Sequence, residues 1–133
     1  MIVTFIPAAG RSARMGGADK LLETIRGKPI LRRTAETALE AGLGPVFVGL
    51  RPNDRARRKA LRNLDLTLLE VENATDGMSA TLKAGAEAAL TVIADAYPAG
   101  GDYEYFGMLV LLPDMPEIAP EDLIEMNRAF QSS

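Results

Sequence analysis

The chain has 133 residues, of which 47% are hydrophobic and 25% charged, and its net charge is −3; these values are typical of one soluble globular domain. It contains no cysteine and no histidine, which excludes disulfide bonds, thiolate chemistry and imidazole catalysis. No apolar run approaches the roughly 20 residues of a membrane span, and the N-terminal apolar run lacks the basic region of a signal peptide, so we expect a cytoplasmic protein without a membrane partner.

The charge is unevenly distributed along the chain. Residues 1–62 contain 13 of the 15 Lys and Arg and five acidic residues, a net charge of +8, and residues 63–133 therefore carry −11. A basic half is compatible with nucleic-acid binding. The aromatic content of 5% provides no stacking platform for bases, so we expect no nucleic-acid partner.

Apolar runs and helical periodicity alternate along the chain. Short apolar runs predict four strands, at residues 2–7, 46–50, 66–71 and 106–112. Amphipathic spacing and capping residues predict four helices, at residues 29–41, 54–64, 78–96 and 123–130. The last strand is apolar throughout, so we expect it to be buried on both faces. The alternation predicts an α/β fold with a mainly parallel sheet between two layers of helices.

The second predicted helix is strongly basic, with Arg55, Arg57, Arg58, Lys59 and Arg62. It has few apolar residues to pack on a sheet. We interpret this run as a solvated helix face, and the alternative is a patch for an anionic acceptor or partner.

The loop after the first strand has the most specific pattern in the chain. Residues 8–20 read AAGRSARMGGADK, a run of small residues interspersed with cations. Such a loop brings backbone N–H groups and positive charge close to a phosphate chain. It is not a P-loop, because the one Gly-Lys pair is followed by Pro29, and it is not a dinucleotide loop, because Ser12 and Met15 replace the required glycines. The alternative is an ordinary glycine-rich turn with solvated arginines.

Two further loops follow predicted strands, and the carboxyl ends of parallel strands share one edge of a sheet. Asp114 comes directly after the fourth strand, between two prolines, where a carboxylate is placed to bind Mg²⁺; a turn cap is the alternative. Gly77, Met78 and Ser79 open the third helix with free N–H groups and a hydroxyl, which taken alone is only a helix cap.

Together the three loops resemble those of the MobA-like NTP transferases, and most of all the molybdenum cofactor cytidylyltransferases and related accessory proteins of molybdenum hydroxylases. The resemblance covers nearly the whole chain. The residues that carry it are Pro7 to Ser12 with Arg14, Met15, Gly16 and Lys20, then Asp76 to Leu82, and Leu111 to Pro116.

This resemblance implies a Rossmann-like, three-layer nucleotidyltransferase fold that uses Mg²⁺ and moves CMP from CTP to the phosphate of molybdopterin cofactor, releasing pyrophosphate. A molybdenum hydroxylase would be the client protein that receives the modified cofactor. The guanylyl branch has Gly where this chain has Ala9, and a methyl group there would narrow the base pocket, which favours a pyrimidine.

The resemblance also assigns the site residues. Arg14, whose planar fork matches two oxygens, would contact the departing β- and γ-phosphates, Lys20 would follow the α-phosphate through the transition state, and Asp114 would bind the metal. Arg11 is assigned to the nucleotide-binding loop, and the alternative is that its side chain is simply solvated. The expected nucleotide-binding residues are Ala8, Ala9, Gly10, Arg11, Ser12, Arg14, Gly16, Lys20, Gly77 and Ser79.

Two features depart from the family pattern. Pro113 replaces a small residue before Asp114, and family members reach roughly 200 residues, the size of an ordinary α/β domain. We therefore expect residues 1–133 to form one nucleotidyltransferase-like domain that is incomplete at its C-terminus. The alternatives are a nucleotide-binding homologue without turnover and a nucleotidyltransferase acting on a sugar phosphate or methylerythritol phosphate. An unfinished sheet edge predicts self-association.

Overall fold

The computed structural model describes residues 1–10, 14–15, 18–96 and 106–132. Strands and helices alternate as the sequence predicts. They are β1 (Ile2–Pro7), α1 (Ile30–Ala41), β2 (Val46–Leu50), α2 (Arg55–Ala60), β3 (Thr67–Glu70), α3 (Met78–Ala96), β4 (Gly107–Val110) and α4 (Pro120–Gln131).

The four strands form one parallel sheet in the order β3-β2-β1-β4. Strand β1 is central, and all six of its residues are buried. Its Phe5 is level with Phe47 of β2 and with Val110 of β4. The α/β class and the parallel sheet are therefore confirmed.

Helices cover both faces of the sheet because successive side chains of β1 point in opposite directions. On one face, α1 and α4 pack together over a core that includes Ile6, Leu31, Val48 and Leu123. On the other face, α3 packs on Phe5 and its neighbours. Helix α1 ends at Gly42, whose φ of 64° is left-handed, at the predicted stop.

Helix α3 approaches β1 closely. A Cβ atom added to Gly85 would lie 2.5 Å from ring atoms of Phe5, and one added to Gly49 of β2 would lie 2.9 Å from the same ring. The Phe5 ring therefore lies between two glycines, one from the helix and one from the neighbouring strand.

Strand β4 differs from its prediction. It is shorter than expected, and instead of being buried on both faces it is half-buried, with Val110 39% exposed. The reason is its place in the described sheet, where it has β1 as a neighbour on one side and is an edge strand on the other. An apolar run alone does not distinguish a central strand from an edge strand.

Other details also differ from the prediction. Helix α2 ends at Ala60 and is followed by a turn with Asn63 at φ 64°. Helix α4 starts at Pro120, three residues before the predicted start, because proline suits the first turn and the Asp122 carboxylate accepts the Ala119 N–H at 2.9 Å. There are also two small antiparallel ladders, 14–15 with 18–19 and 24–25 with 28–29, in segments for which the sequence predicts no strand.

Candidate functional site

The carboxyl ends of the four strands meet at one edge of the sheet. Hydrogen bonds continue past the strand ends: Ala8 N–H donates to the Gly49 carbonyl at 2.8 Å, and Leu111 N–H donates to the Phe5 carbonyl at 2.9 Å. On the far side, Val71 N–H donates to the Leu50 carbonyl at 2.8 Å. Residues 8–10, 71–77 and 111–114 therefore lie along the same edge, as the sequence predicts.

The described start of the loop at residues 8–20, called the phosphate loop below, passes from buried to exposed. Ala8 and Ala9 are 1% and 0% exposed. Gly10 is exposed, and a Cβ added to it would have no neighbour within 4 Å. A ligand at this end of the loop therefore meets Gly10, while Ala8 and Ala9 are out of reach of solvent.

Arg57 of α2 lies beneath this loop. Its side chain is only 6% exposed. Its Nη1 donates to the carbonyl oxygens of Ala8 at 2.7 Å and of Gly10 at 2.9 Å. Its Nε and Nη2 donate to the two carboxylate oxygens of Asp19, at 2.8 and 3.0 Å. One guanidinium thus joins the beginning of the loop to its end.

The position of Arg57 is fixed in turn by its own helix. The Asp54 side chain caps α2 by accepting the Arg57 N–H at 3.1 Å, which satisfies one of the free donors of a helix start. Its other carboxylate oxygen lies 3.7 Å from Arg57 Nε. Asp54 is therefore the residue that caps the start of α2.

A second arginine completes this arrangement. Arg51, which directly follows β2, donates from Nε to the Ala9 carbonyl. The carbonyls of Ala8, Ala9 and Gly10 therefore all accept from guanidinium groups. Because a trans peptide places its N–H opposite its C=O, the Gly10 N–H points away from Arg51, and Gly10 is exposed. An exposed backbone N–H is the kind of group that binds anions in such loops.

Lys20 is positioned by Asp19. The Asp19 Oδ1 accepts the Leu21 N–H at 3.1 Å and so caps a short 3₁₀ helix over Lys20–Leu22. Lys20 is half-buried, and within the described part of the chain its ammonium has no ion-pair partner. A cation in the same loop as the exposed Gly10 backbone is suited to a phosphate.

The loop after β3 packs directly against the phosphate loop. Ala9, Val71 and Ala74 form one buried cluster. Beyond it, Gly77 has φ 103°, a conformation that side chains rarely adopt, and α3 starts at the next residue with Ser79 exposed. The structure thus places the second sequence motif beside the first.

This packing changes the argument about the base pocket. The Ala9 side chain is 0% exposed and contacts the loop after β3, and a fully buried methyl group does not line an open pocket. The expectation that this methyl narrows the pocket for a pyrimidine therefore lacks structural support, and a preference for CTP rests on the resemblance alone.

Asp114 is exposed in the turn that follows β4. The turn is anchored by Thr34 of α1, whose buried hydroxyl lies 2.9 Å from the Pro113 carbonyl and 3.2 Å from the Ile30 carbonyl. Proline has no N–H, so its carbonyl is the backbone group available for fixing this turn. Thr34 holds the residue directly before the candidate metal ligand.

The donor set at this edge fits a metal that is bound mainly by water and substrate. Among the described residues no group of three carboxylates or other metal-binding side chains lies close enough to hold an ion. Asp114 would supply one oxygen, and Mg²⁺ commonly binds one or two carboxylates and completes its octahedron with water and phosphate oxygens.

Some predicted site residues are not placed by the structure. Arg11, Ser12 and Gly16 lie outside the described residues, as does the side chain of Arg14. The backbone of Arg14 is paired with that of Asp19 in the short ladder. The predicted residues that the structure brings to one edge are Ala8, Ala9, Gly10, Lys20, Gly77, Ser79 and Asp114.

Sequence reasoning missed Arg51, Arg57, Asp19 and Thr34. The interpretation of the basic run as a solvated helix face is wrong for Arg57, which is buried because Asp19 and two carbonyls surround its guanidinium. It holds for the exposed Arg58, whose partner Glu70 is also exposed. The one acid in the otherwise basic loop, Asp19, is the signal that could have pointed to a buried basic partner.

Comparison with known proteins gives a family match. The model of the MobA-like NTP transferase domain matches residues 4–133. A search of curated proteins finds no match. Within the described residues, no helix combines the length and apolar character needed to cross a membrane.

Several solved structures have the same fold. A nucleotidyl transferase from Methanothermobacter thermautotrophicus is 25% identical, with a TM-score of 0.75 over 96% of this chain. Rv0371c from Mycobacterium tuberculosis is 22% identical, with a TM-score of 0.67 over 99% of this chain, and was also solved in complex with manganese. CMP:2-keto-3-deoxy-manno-octonic acid synthetase, solved in complex with CTP, is 23% identical, with a TM-score of 0.65 over 99% of this chain. This chain spans 57%, 61% and 48% of those three proteins.

Proposed function

The chain belongs to the family of MobA-like NTP transferase domains, and on this premise we propose that it transfers CMP from CTP to the phosphate of molybdopterin cofactor, with release of pyrophosphate. The family supports nucleotidyl transfer as the reaction class. The cytidine base, the molybdopterin acceptor and a molybdenum hydroxylase as the client come from the sequence resemblance. A cytoplasmic location stays a prediction.

The observation that carries the proposal is the convergence at the carboxyl edge of the sheet. The exposed Gly10 backbone, the Lys20 ammonium and the Asp114 carboxylate come from the segments that follow β1 and β4, which are neighbours. In-line transfer at the α-phosphorus requires positioning and charge neutralisation more than proton transfer. A chain without histidine or cysteine can provide both.

In this mechanism the residues act on the nucleotide phosphates. The loop N–H groups bind phosphate oxygens, and Lys20 neutralises charge that develops as the α-phosphate is attacked. Arg14 is assigned to the β- and γ-phosphates by the resemblance. The acceptor phosphate oxygen forms the new bond to the α-phosphorus while the bond to the pyrophosphate oxygen breaks.

Asp114 would hold Mg²⁺, and the ion would supply positive charge that stabilises the negative charge of the phosphates. One structural relative was solved with manganese, which supports a divalent ion in this fold. The protein itself contributes the position of the carboxylate, fixed through the Thr34 hydroxyl and the Pro113 carbonyl.

Calorimetric titration tests the nucleotide half of the proposal. CTP and GTP are titrated separately into the protein with Mg²⁺, and the same is done with the Lys20→Ala and Asp114→Ala variants. We expect CTP to bind more tightly than GTP and both substitutions to abolish binding. Equal affinity for the two nucleotides would contradict the proposed specificity.

Pyrophosphate release from CTP, measured with molybdopterin cofactor and with other phosphorylated acceptors, tests the transfer. Turnover with molybdopterin supports the proposal. Turnover only with a sugar phosphate or methylerythritol phosphate would show that this compound, and not molybdopterin, is the acceptor. Tight CTP binding without turnover on any acceptor would support a nucleotide-binding protein without catalysis.

A further inference from the structure

We propose that Arg57 and Asp19 are positioning residues, which set the phosphate loop and Lys20 in the geometry that binds a nucleotide. The proposal rests on the proposed function, because it concerns the same site. Neither residue belongs to the positions on which the sequence resemblance was built. Arg57 contacts the loop at the carbonyl oxygens of Ala8 and Gly10, and Asp19 is its partner at the other end of the loop.

The contacts of Arg57 require a guanidinium. Nε and Nη2 form a two-point contact with the Asp19 carboxylate at 2.8 and 3.0 Å, while Nη1 reaches the Ala8 and Gly10 carbonyls at 2.7 and 2.9 Å. A lysine ammonium is a single point charge and does not reproduce this planar set of contacts. The arrangement therefore depends on shape as well as charge.

The side chains of both residues in the pair are largely buried. The side chain of Arg57 is 6% exposed and that of Asp19 is 19% exposed. A buried ion pair gives little net stability, because the loss of hydration offsets the attraction. Its clearest effect is to hold two segments, separated by 38 residues in the chain, in one relative position.

Two consequences follow for the binding surface. Arg57 holds the carbonyls of Ala8 and Gly10, which fixes the path of the backbone that leads to the exposed Gly10. Asp19 also caps the turn that begins at Lys20. The same carboxylate that binds Arg57 therefore holds the backbone of residues 20–22 in place. Loss of the pair would release both the backbone at Gly10 and the backbone at Lys20 from their common position.

The test compares Arg57→Lys and Asp19→Asn with Arg58→Lys. The control lies on the same helix, and Arg58 forms an exposed ion pair with Glu70 at 3.3 Å. Asp19→Asn keeps the size of the side chain and an oxygen that can cap the 3₁₀ helix, so it disturbs the fold least. CTP is titrated calorimetrically into each protein with Mg²⁺, and amide hydrogen exchange is followed in the peptide that covers residues 8–22.

We expect Arg57→Lys and Asp19→Asn each to raise the Kd for CTP about tenfold or more and to speed exchange in residues 8–22. The double variant should bind no more weakly than the weaker single variant, because the two residues act through one contact. Arg58→Lys should leave both the Kd and the exchange unchanged.

A purely structural role gives a different result. It lowers the fraction of folded protein, which appears as a reduced binding stoichiometry, and leaves the Kd of the folded molecules unchanged. That outcome, or additive effects in the double variant, would overturn the positioning role while CTP binding by the unmodified chain kept the proposed function intact. If neither the unmodified chain nor Arg58→Lys binds any NTP, the proposed function is wrong and the positioning role with it.

Discussion

The guanidinium of Arg57 and the hydroxyl of Thr34 act in the same way at two points of the sheet edge. Each donates to a backbone carbonyl of a loop that carries candidate site residues. A hydrogen bond of this kind contributes only about 1 kcal/mol to stability, but it decides where the loop lies. The loops that carry the candidate substrate-binding residues are therefore positioned by side chains that would not contact the substrate.

Replacement of Thr34 by valine tests the second of these contacts. Thr34→Val keeps the shape and removes the donor to the Pro113 carbonyl, so we expect the free energy of unfolding to fall by about 1 kcal/mol. We also expect CTP affinity to fall more with Mg²⁺ than without it, because Asp114 follows Pro113. Denaturant unfolding and calorimetry measure the two effects. Thr37→Val on the same helix is the control, and equal losses in both variants would contradict the anchoring role.

Replacement of Asp114 by asparagine tests the metal site. Asp114→Asn removes the charge and keeps the size, so we expect pyrophosphate release to fall about 100-fold or more. Binding of CTP without Mg²⁺ should hardly change. Glu117→Gln is the control, since Glu117 is an exposed acid three residues further along the same segment. An unchanged rate in Asp114→Asn would exclude Asp114 as the ligand.

At the scale of elements, helix α3 joins the core to the site. Its start, just after Gly77, lies beside the phosphate loop, and its middle packs on Phe5 of the central strand. The close approach at Gly85 lets the helix lie near the sheet. The position of Ser79 at the edge of the sheet therefore depends on packing farther along the same helix.

Substitution of Gly85 by alanine measures this contact. In an exposed part of a helix Gly→Ala stabilises by about 1 kcal/mol, but here the added Cβ would lie 2.5 Å from the Phe5 ring. We therefore expect Gly85→Ala to lower the free energy of unfolding by about 1–3 kcal/mol. Lys83→Ala, at an exposed position of α3, should change it by less than about 0.5 kcal/mol. A stabilising effect of Gly85→Ala would show that the ring moves aside freely.

At the scale of the whole molecule, the described sheet has two edge strands, β3 and β4. Val110 of β4 is 39% exposed, and Leu112 just after the strand is 46% exposed. Met126 and Phe130 of α4 are also about half exposed. An apolar edge strand can pair with another strand, and pairing with a second copy around a two-fold axis is self-complementary.

We therefore expect the protein to self-associate through β4. Val110→Lys should shift the molecular mass measured by light scattering toward that of the monomer, because a charge on an edge strand opposes pairing. Leu90→Lys is the control, since Leu90 is a 61% exposed apolar residue on α3. CTP affinity should be unchanged in both. A monomeric unmodified chain at high concentration would contradict the prediction.

The amino-acid sequence by itself determined the order of the strands and helices and the three loops at the carboxyl edge. Apolar runs, helix stops such as Gly42 and the spacing of the phosphate loop are local signals, which fix local structure without knowledge of the rest of the chain. The α/β class and the parallel sheet followed from the alternation of these elements.

Only the tertiary structure decided which positions are buried and which distant residues their side chains contact. Arg57 meets Ala8 across 49 residues and Thr34 meets Pro113 across 79, and no sequence period links such partners. The same reason explains β4, because the burial of an apolar strand depends on how many neighbours it has in the sheet. Contacts between distant segments are set by how the elements pack together, and it is these contacts that place the candidate site.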